Sequence, residues 1–491
     1  MDAKTLANVV QYLIATRRAE EVRYSEIHEW VKDRVCSIYA PKDASVEYRQ
    51  LIDQSRWNVL PLLIDSLAKN FYVDGYRPKR ASDNAKVWKY WQLNRMDARQ
   101  SGLWRKSLEY GVSYTVTLPG MVEAEKAPVI TPWSPRRLTA VYEDPINDEW
   151  ARYAMTVGFE KPIFDSSGVT MVTPVTVYDD WYKYDLDVPA QTMRTYTYQY
   201  GQRAPSYLGE ITINADKMAV SEHGLGYVPV VRYMDTYGEL DDGPEGIIAP
   251  MIPGQRQLNQ TTFSLAIAEQ YAIFRQKWVV GLEIQLDENG NPKQPFKVAV
   301  DKMLQAEDPD VKFGDFAQTD VSGYLSSRDK TMLYITAVRQ IAPHTMVVGE
   351  AVSNVSAEAL AALEAGHGQD IAEHKASYGE SVEQNMRLAG LAVGDEAAWK
   401  DVEAQTKWRD TTPRSLAQVA DALGKMAQML EVPPEELWEK IPDVTDGDLE
   451  RWKEAHKKRD SIAKLNGLVN DAKSRSTPAD SGAPGTSGSD S

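Results

Sequence analysis

The chain has 491 residues, more than one hydrophobic core usually organises, so two or more substructures are expected. Its 71 acidic residues against 55 basic ones give a formal charge of -16, which argues against a protein that coats nucleic acid or adheres to an anionic membrane. A single cysteine, Cys36, excludes an intrachain disulfide, and no run of about 18 apolar residues is present to span a bilayer. The start MDAKTLANVVQYLIATRR lacks the apolar centre and small-residue cleavage site of a signal peptide, so a cytosolic origin is expected.

From Thr5 to about Arg34, Leu6, Val9, Leu13, Val22, Ile27 and Val31 recur at helical spacing among charges, the pattern of surface helix with one buried stripe. RWNVLPLLIDSLAKNFYVDGYR (56–77) reads as a short apolar helix running into the strand-like FYVDGY. The stretch VWKYWQLNRMDARQSGLWRKSLEYG predicts a helix ending at Gly111 in a C-cap role, with Trp88, Trp91 and Trp104 as core residues. VSYTVTL then alternates as a strand. Between Pro128 and about Tyr237 the chain is rich in Tyr, Thr, Val and Trp with Gly, Pro and Asn-Asp breaks, which is antiparallel strand and hairpin composition. Residues 1 to about 240 therefore read as an α+β domain.

PMIPGQRQLNQTTFSLAIAEQYAIFRQKWVVG (250–281) is unusual. Pro250 and Pro253 suit a helix start, yet Gln257 to Ala268 carries no charge, and Leu258, Phe263, Leu265 and Ile267 point to several faces among Gln257, Asn259, Gln260, Thr261 and Thr262. Either this is a core helix of a monomer, or its amides and hydroxyls are met by a ring of identical helices. KWVVGLEIQLDENGNPKQPFKVAV (277–300) predicts two strands about an Asn-Gly-Asn-Pro turn, and 301–320 is acidic and irregular. A helix from about Val321 to Ala342 stops at Pro343. The stretch that follows, HTMVVGEAVSNV, of mostly small and uncharged residues with one carboxylate, Glu350, is poor catalytic material and an odd surface loop. Ser356 is a candidate N-cap for a long helix reaching near Ala392, with a soft point at Gly366 and Gly368. PRSLAQVADALGKMAQMLEVPPEELWEKI and DLERWKEAHKKRDSIAKLNGLV are further helical units, the second opened by a capping-box-like Thr445 to Asp448. From about Asp471 the tail has too little apolar surface to pack and is expected to be disordered.

No phosphate-cradling glycine loop, HExxH, CxxC or GxSxG is present. His367 and His374 are two turns apart on one helix but read as packed or solvated side chains, so no metal site and no cofactor is expected. Asp179 and Asp180, Asp241 and Asp242, and Glu307 to Asp310 are read as solvated acidic faces, with a metal-dependent nuclease as the minor alternative.

The order of parts resembles the portal proteins of long-tailed bacteriophages, in the branch found among phages of actinobacteria. The resemblance is carried by WNVLPLLIDSLAKNFYVDGYR, LEYGVSYTVTLPG, PGQRQLNQTTFSLAIAEQYAIFRQ, SNVSAEALAALEAG and TTPRSLAQVADALGKM. It implies an α+β portal fold assembled as a cyclic ring, with no enzymatic activity. Residues 1–247 would be the wing, 248–276 and 321–342 the stem helices, and 277–320 a β-rich clip. The tunnel loop would be 343–355, the long wing helix and linker 356–404, the helical crown 405–470, and 471–491 a disordered tail. On that mapping His344, Thr345, Met346, Val347, Val348, Gly349, Glu350 and Asn354 face a channel for double-stranded DNA, and Gln257, Leu258, Asn259, Thr262 and Leu265 pack subunits together. The implied partners are about twelve copies of the chain, a terminase large subunit, a head-tail adaptor, and the major capsid and scaffolding proteins, with no membrane. The implied location is one vertex of the virion, reached from the host cytoplasm. Another ring-forming connector or tail subunit is the alternative of the same kind.

Overall fold

Asp2 opens the first helix, α1 (Ala3–Val31), by accepting the Thr5 amide proton at 2.7 Å, which satisfies a donor that a helix start leaves unpaired. The computed structural model describes residues 1–35, 38–79, 84–165, 168–193, 196–199, 202–205, 218–237, 243–273, 277–281, 310–315, 320–341, 357–410, 416–441, 444 and 446–475. Helix α2 (Val46–Ser55) is capped by Ser45, and α3 (Leu60–Ala68) carries a proline in its first turn, where the missing N–H removes no helix bond. Strand β1 (Val73–Arg77), α4 (Asn84–Leu93) and α5 (Met96–Tyr110) follow. Helix α5 ends at Gly111, whose φ is +89° and where a Cβ would collide with the Pro244 carbonyl, so backbone hand and close approach both demand glycine.

The Tyr- and Thr-rich region folds as expected into antiparallel strands. In chain order they are β2 (Val112–Val122), β3 (Glu125–Trp133), β4 (Leu138–Val141), β5 (Tyr153–Val157), β6 (Lys161–Asp165), β7 (Gly168–Tyr178) and β8 (Tyr182–Pro189). A short helix, α6 (Ala190–Met193), leads to β9 (Tyr196–Gln199), β10 (Gln202–Pro205), β11 (Ala219–Glu222) and β12 (Val230–Met234). One sheet has three strands in the order β12-β2-β3; another has six, in the order β11-β8-β7-β5-β4 with β6 beside β7. Helix α1 joins them. Its Leu6, Val10, Leu13 and Ile14 cover Met155, Val175, Val177 and Tyr184 of the six-stranded sheet, while Tyr24, Ile27 and Trp30 enter the main core with Leu63, Trp104 and Val116.

Beyond the sheets lie α7 (Ile252–Ile273), the paired strands β13 (Lys277–Val280) and β14 (Lys312–Asp315), α8 (Ser322–Val338), α9 (Ala357–Val393), α10 (Glu396–Trp399) and β15 (Gln405–Trp408). Helix α9 runs without a break through Gly366 and Gly368; at Gly366 a Cβ would sit 3.0 Å from the Gln340 side chain, so that glycine serves a close approach. Strand β15 pairs with β1, Tyr76 opposite Thr406, so the start of the segment mapped above to the crown is a strand of the first compact unit, Met1–Arg409. The centre of that unit is aromatic. Trp104 is fully buried, its ring centroid 4.8 Å from Tyr378 and 5.7 Å from both Tyr233 and Trp408, which ties α5, α9, β12 and β15 together.

The second unit, Asp410–Ser491, contains α11 (Leu416–Met429), α12 (Pro434–Leu437) and α13 (Asp446–Arg475). Among its described residues Val419, Leu437 and Leu449 are the buried apolar ones, and Trp438 meets Trp452 edge-to-face at 6.1 Å.

Candidate assembly and channel site

Helix α7 has two chemically distinct sides, and its buried polar residues Gln255, Asn259 and Thr261 can each be followed to a partner. On the inner side Gln255 and Asn259 are buried; Gln255 donates to the Trp57 carbonyl and to Asn259 Oδ1, both at 2.8 Å, and accepts from the Val59 amide at 3.0 Å. The loop before α3 thus meets these amides within the chain, which satisfies groups that would otherwise be costly to bury. Leu258 and Leu265 are buried on the same side, and Phe263 packs edge-to-face with Tyr48 of α2 at 5.4 Å. The absence of charge on this side therefore has an intrachain cause.

The outer side is different. Gln257 is exposed, and Thr262 is half-buried with its hydroxyl donating to the Leu258 carbonyl at 2.8 Å. Of the five proposed subunit-packing residues, Leu258, Asn259 and Leu265 face their own chain, Gln257 faces outward, and Thr262 lies between. A groove of about 600 Å³ runs between α7 and α8, lined by small residues (Gly254, Gly323, Ser326, Ser327) with Gln257 and Tyr334 beside them. Tyr334 is 70% exposed and Val338 66%, so α8 presents apolar surface outward while Met332 and Ile335 point inward.

The C-terminal end of α8 is fixed to α9. Arg339 pairs with Asp370 at 3.0 Å, and the buried His374 has its Nδ1 2.7 Å from the Asp370 carbonyl and 3.5 Å from that carboxylate. Nearby, burial pushes the Asp235 carboxyl up to about 7, against the Thr236 amide, Arg339 and Arg23, which favour its ionised form. The tunnel-loop residues His344, Thr345, Met346, Val347, Val348, Gly349, Glu350 and Asn354 lie outside the described residues, as do Ser356 and most of 277–320, the segment mapped to the clip.

Among the described residues no group of three or more His, Cys, Asp and Glu is placed to hold a metal, and no helix is long and apolar enough to cross a membrane. Trp91 and Trp104 are wholly buried and offer no face to a nucleic-acid base, while the half-buried Trp88 stacks on Trp91 with ring centroids 5.8 Å apart. Sequence reading treated Asp179 and Asp180 as a solvated face and singled out neither Arg17 nor Arg136. The fold sets the two carboxylates at one end of the six-stranded sheet, and it brings together the two arginines, 119 positions apart, at the other. No local pattern signals a juxtaposition at that separation.

What the fold offers is an outward helix face on α7 and α8 and charged ends on the six-stranded sheet. The family model described as "Phage portal protein, SPP1 Gp6-like" matches residues 23–461, and the chain belongs to that family. The chain is also similar to a solved structure titled "Neck of empty GTA particle computed with C6 symmetry", at 10% sequence identity and a TM-score of 0.40, over 81% of this chain and 95% of that one. No curated protein matches the chain.

Proposed function

We propose that this phage portal family member forms a ring of about twelve copies at one capsid vertex, through whose channel double-stranded DNA is packaged and later ejected. The observation that carries the reading is the family match across residues 23–461, which spans α7, the β13–β14 pair, α8 and the start of α9 in one frame. The ring docks first a terminase motor and then a head-tail adaptor, contacts the major capsid and scaffolding proteins, and hydrolyses nothing itself; ATP chemistry belongs to the motor.

The loop 343–355 suits the narrow part of such a channel. Each phosphate neutralised by Lys or Arg adds counterion-release affinity, which would hold a moving duplex back. Val347, Val348 and Gly349 carry no charge, and Glu350 repels phosphate, so a collar of these residues lets DNA slide. The test is a variant with Val347, Val348 and Gly349 all replaced by Lys. Its rings should keep the wild-type mass while packaged DNA falls by about tenfold or more, since the added cations grip phosphate. Normal phage yield from this variant would remove the loop from the channel.

A further inference from the structure

The six-stranded sheet has chemically opposite ends. Strands β4, β5 and β7 are antiparallel neighbours, with Leu138 opposite Thr156 and Val157 opposite Val175 toward one end, and Val141 opposite Tyr153 and Ala154 opposite Tyr178 toward the other. Arg137, Val157 and Thr173 therefore share one end, and Glu143, Tyr153 and Asp179 share the other, roughly 20 Å away along β7.

At the first end a pocket of about 530 Å³ is lined by Arg17, Lys106, Arg136, Arg137, Glu160 and Thr173, with Glu21 and His28. The buried carboxylates nearby are each engaged through one oxygen: Glu21 accepts from Arg136 at 2.7 Å, and Glu109 holds Lys106, with His28 3.8 Å away, while Glu21 Oε2 and Glu109 Oε1 have no hydrogen-bond partner. Arg17 donates instead to the carbonyls of Met193 and Arg136, at 3.1 and 2.9 Å, and its buried Nε has no partner. Arg137 lies 3.3 Å over the ring of Phe159, a residue 76% exposed. The hydroxyl of Thr173, a residue 3% exposed, is also unpartnered. Burial lowers the pKa of Arg17 and Arg137, and neighbouring guanidiniums push the same way, although Glu21 opposes this at Arg17. Beyond this end, the β6–β7 hairpin exposes Phe164 and Val169 as a cross-strand pair.

At the second end a pocket of about 610 Å³ is lined by Glu143, Asp148, Glu149, Asp179, Asp180 and Trp181, with Arg152 and Met1 beside them. Arg152 and Arg387 hold Glu143 and Glu149, while Asp179 accepts from the Trp181 and Tyr182 amides at 2.9 and 2.6 Å. Asp180 is exposed beside them, and burial, then the Asp179 charge, raises its carboxyl above the ordinary range. Trp181, 52% exposed, stands next to it.

We propose that these two ends are the halves of one heterologous contact between copies of this chain, the Arg17–Arg136–Arg137 end of one subunit receiving the Asp179–Asp180 end of the next. This rests on the ring reading above and adds the surfaces that close the ring. A head-to-tail ring needs two different, mutually complementary patches on every subunit, and one sheet carries both. Like charges neighbour one another at each end, Arg17, Arg136 and Arg137 at one and Asp179 and Asp180 at the other, and this is relieved when the ends meet; the half-buried Arg137 and the exposed Trp181 are of the residue types that anchor interfaces. A second copy fits better than a nucleic acid, because a DNA phosphate would fill the cationic pocket and leave the anionic one without a counterpart.

The experiment uses full-length Arg137→Glu, Asp180→Arg and the double variant, assembled at low salt and followed by native mass and sedimentation. Each single reversal should raise the concentration needed for half-assembly by about tenfold or more, since like charges then face each other across the contact. The double variant should recover the wild-type behaviour, and an equal mixture of the two single variants should form rings of alternating chains. Single variants that assemble as the wild type does, or a double variant worse than either, would overturn the contact. Should Arg137→Glu lower the monomer melting temperature, Arg137→Gln replaces it, with a smaller assembly loss expected and none overturning the contact. An Arg137→Glu chain that assembles normally but loses affinity for a short DNA duplex would reassign the pocket to phosphate. A wild-type chain that never forms rings would overturn the ring reading and this contact with it.

Discussion

The α5–α9 centre and the α7–α8 pair are both helical, yet they solve the burial problem in opposite ways. Around Trp104 the rings of Tyr378, Tyr233 and Trp408 pack against it inside the chain. Helix α7 satisfies its inner amides on Trp57 and Val59 but, with α8, leaves a small-residue groove and the exposed Tyr334 and Val338 outward. The lesson is that one region is built for the fold and the other retains surface for something beyond it.

The comparison is broken most severely at its closed end. Trp104→Ala should cost about 3–5 kcal/mol of folding stability in denaturant unfolding, because it opens a large cavity among rings that cannot collapse into it. A loss near zero would mean that this centre is not the organising core. On the inner face of α7, Gln255→Ala leaves the Val59 amide and the Trp57 carbonyl without their partner, and a loss of about 1–3 kcal/mol is expected by the same measurement.

Asp235 sharpens the comparison through pH. Its carboxyl has an ordinary value of 3.8 and is raised to about 7 in the fold, so between those values the unfolded chain releases the proton while the folded chain keeps it. Stability contributed by this group is therefore full below 3.8, declines as pH rises toward 7, and changes no further above it. Asp235→Asn should flatten that decline, read from unfolding midpoints at pH 4 and pH 7 relative to wild type; an unchanged slope would assign the pH dependence elsewhere. The smallest effect on folding is expected at the open end. Tyr334→Ser should change monomer stability by less than about 0.5 kcal/mol while lowering ring yield, whereas a large folding loss would place Tyr334 in the core.

Much of this architecture was legible because it rests on local signals. Gly111 and the paired Pro250 and Pro253 mark helix ends, and the Tyr, Thr and Val alternation marks antiparallel strands, whereas the Asp2 cap of α1 was not read. The reach of β15 back to β1 was not legible, because QTKW is short and its pairing with Val73–Arg77 depends on the fold bringing distant segments together. The uncharged run of α7 was ambiguous for a similar reason. A helix facing its own chain and a helix facing a copy carry the same residue types, and only the positions of Trp57 and Val59 show which side faces inward. The opposed sheet ends were invisible as a pair, since each is assembled from several strands and α1.

The most direct test of the central claim is electron microscopy with native mass measurement on the purified full-length protein. The account predicts rings with a central hole of duplex width and a mass roughly twelve times the 55.1 kDa chain, about 0.66 MDa. A monomer or dimer that persists at high concentration and alongside its scaffold would contradict it.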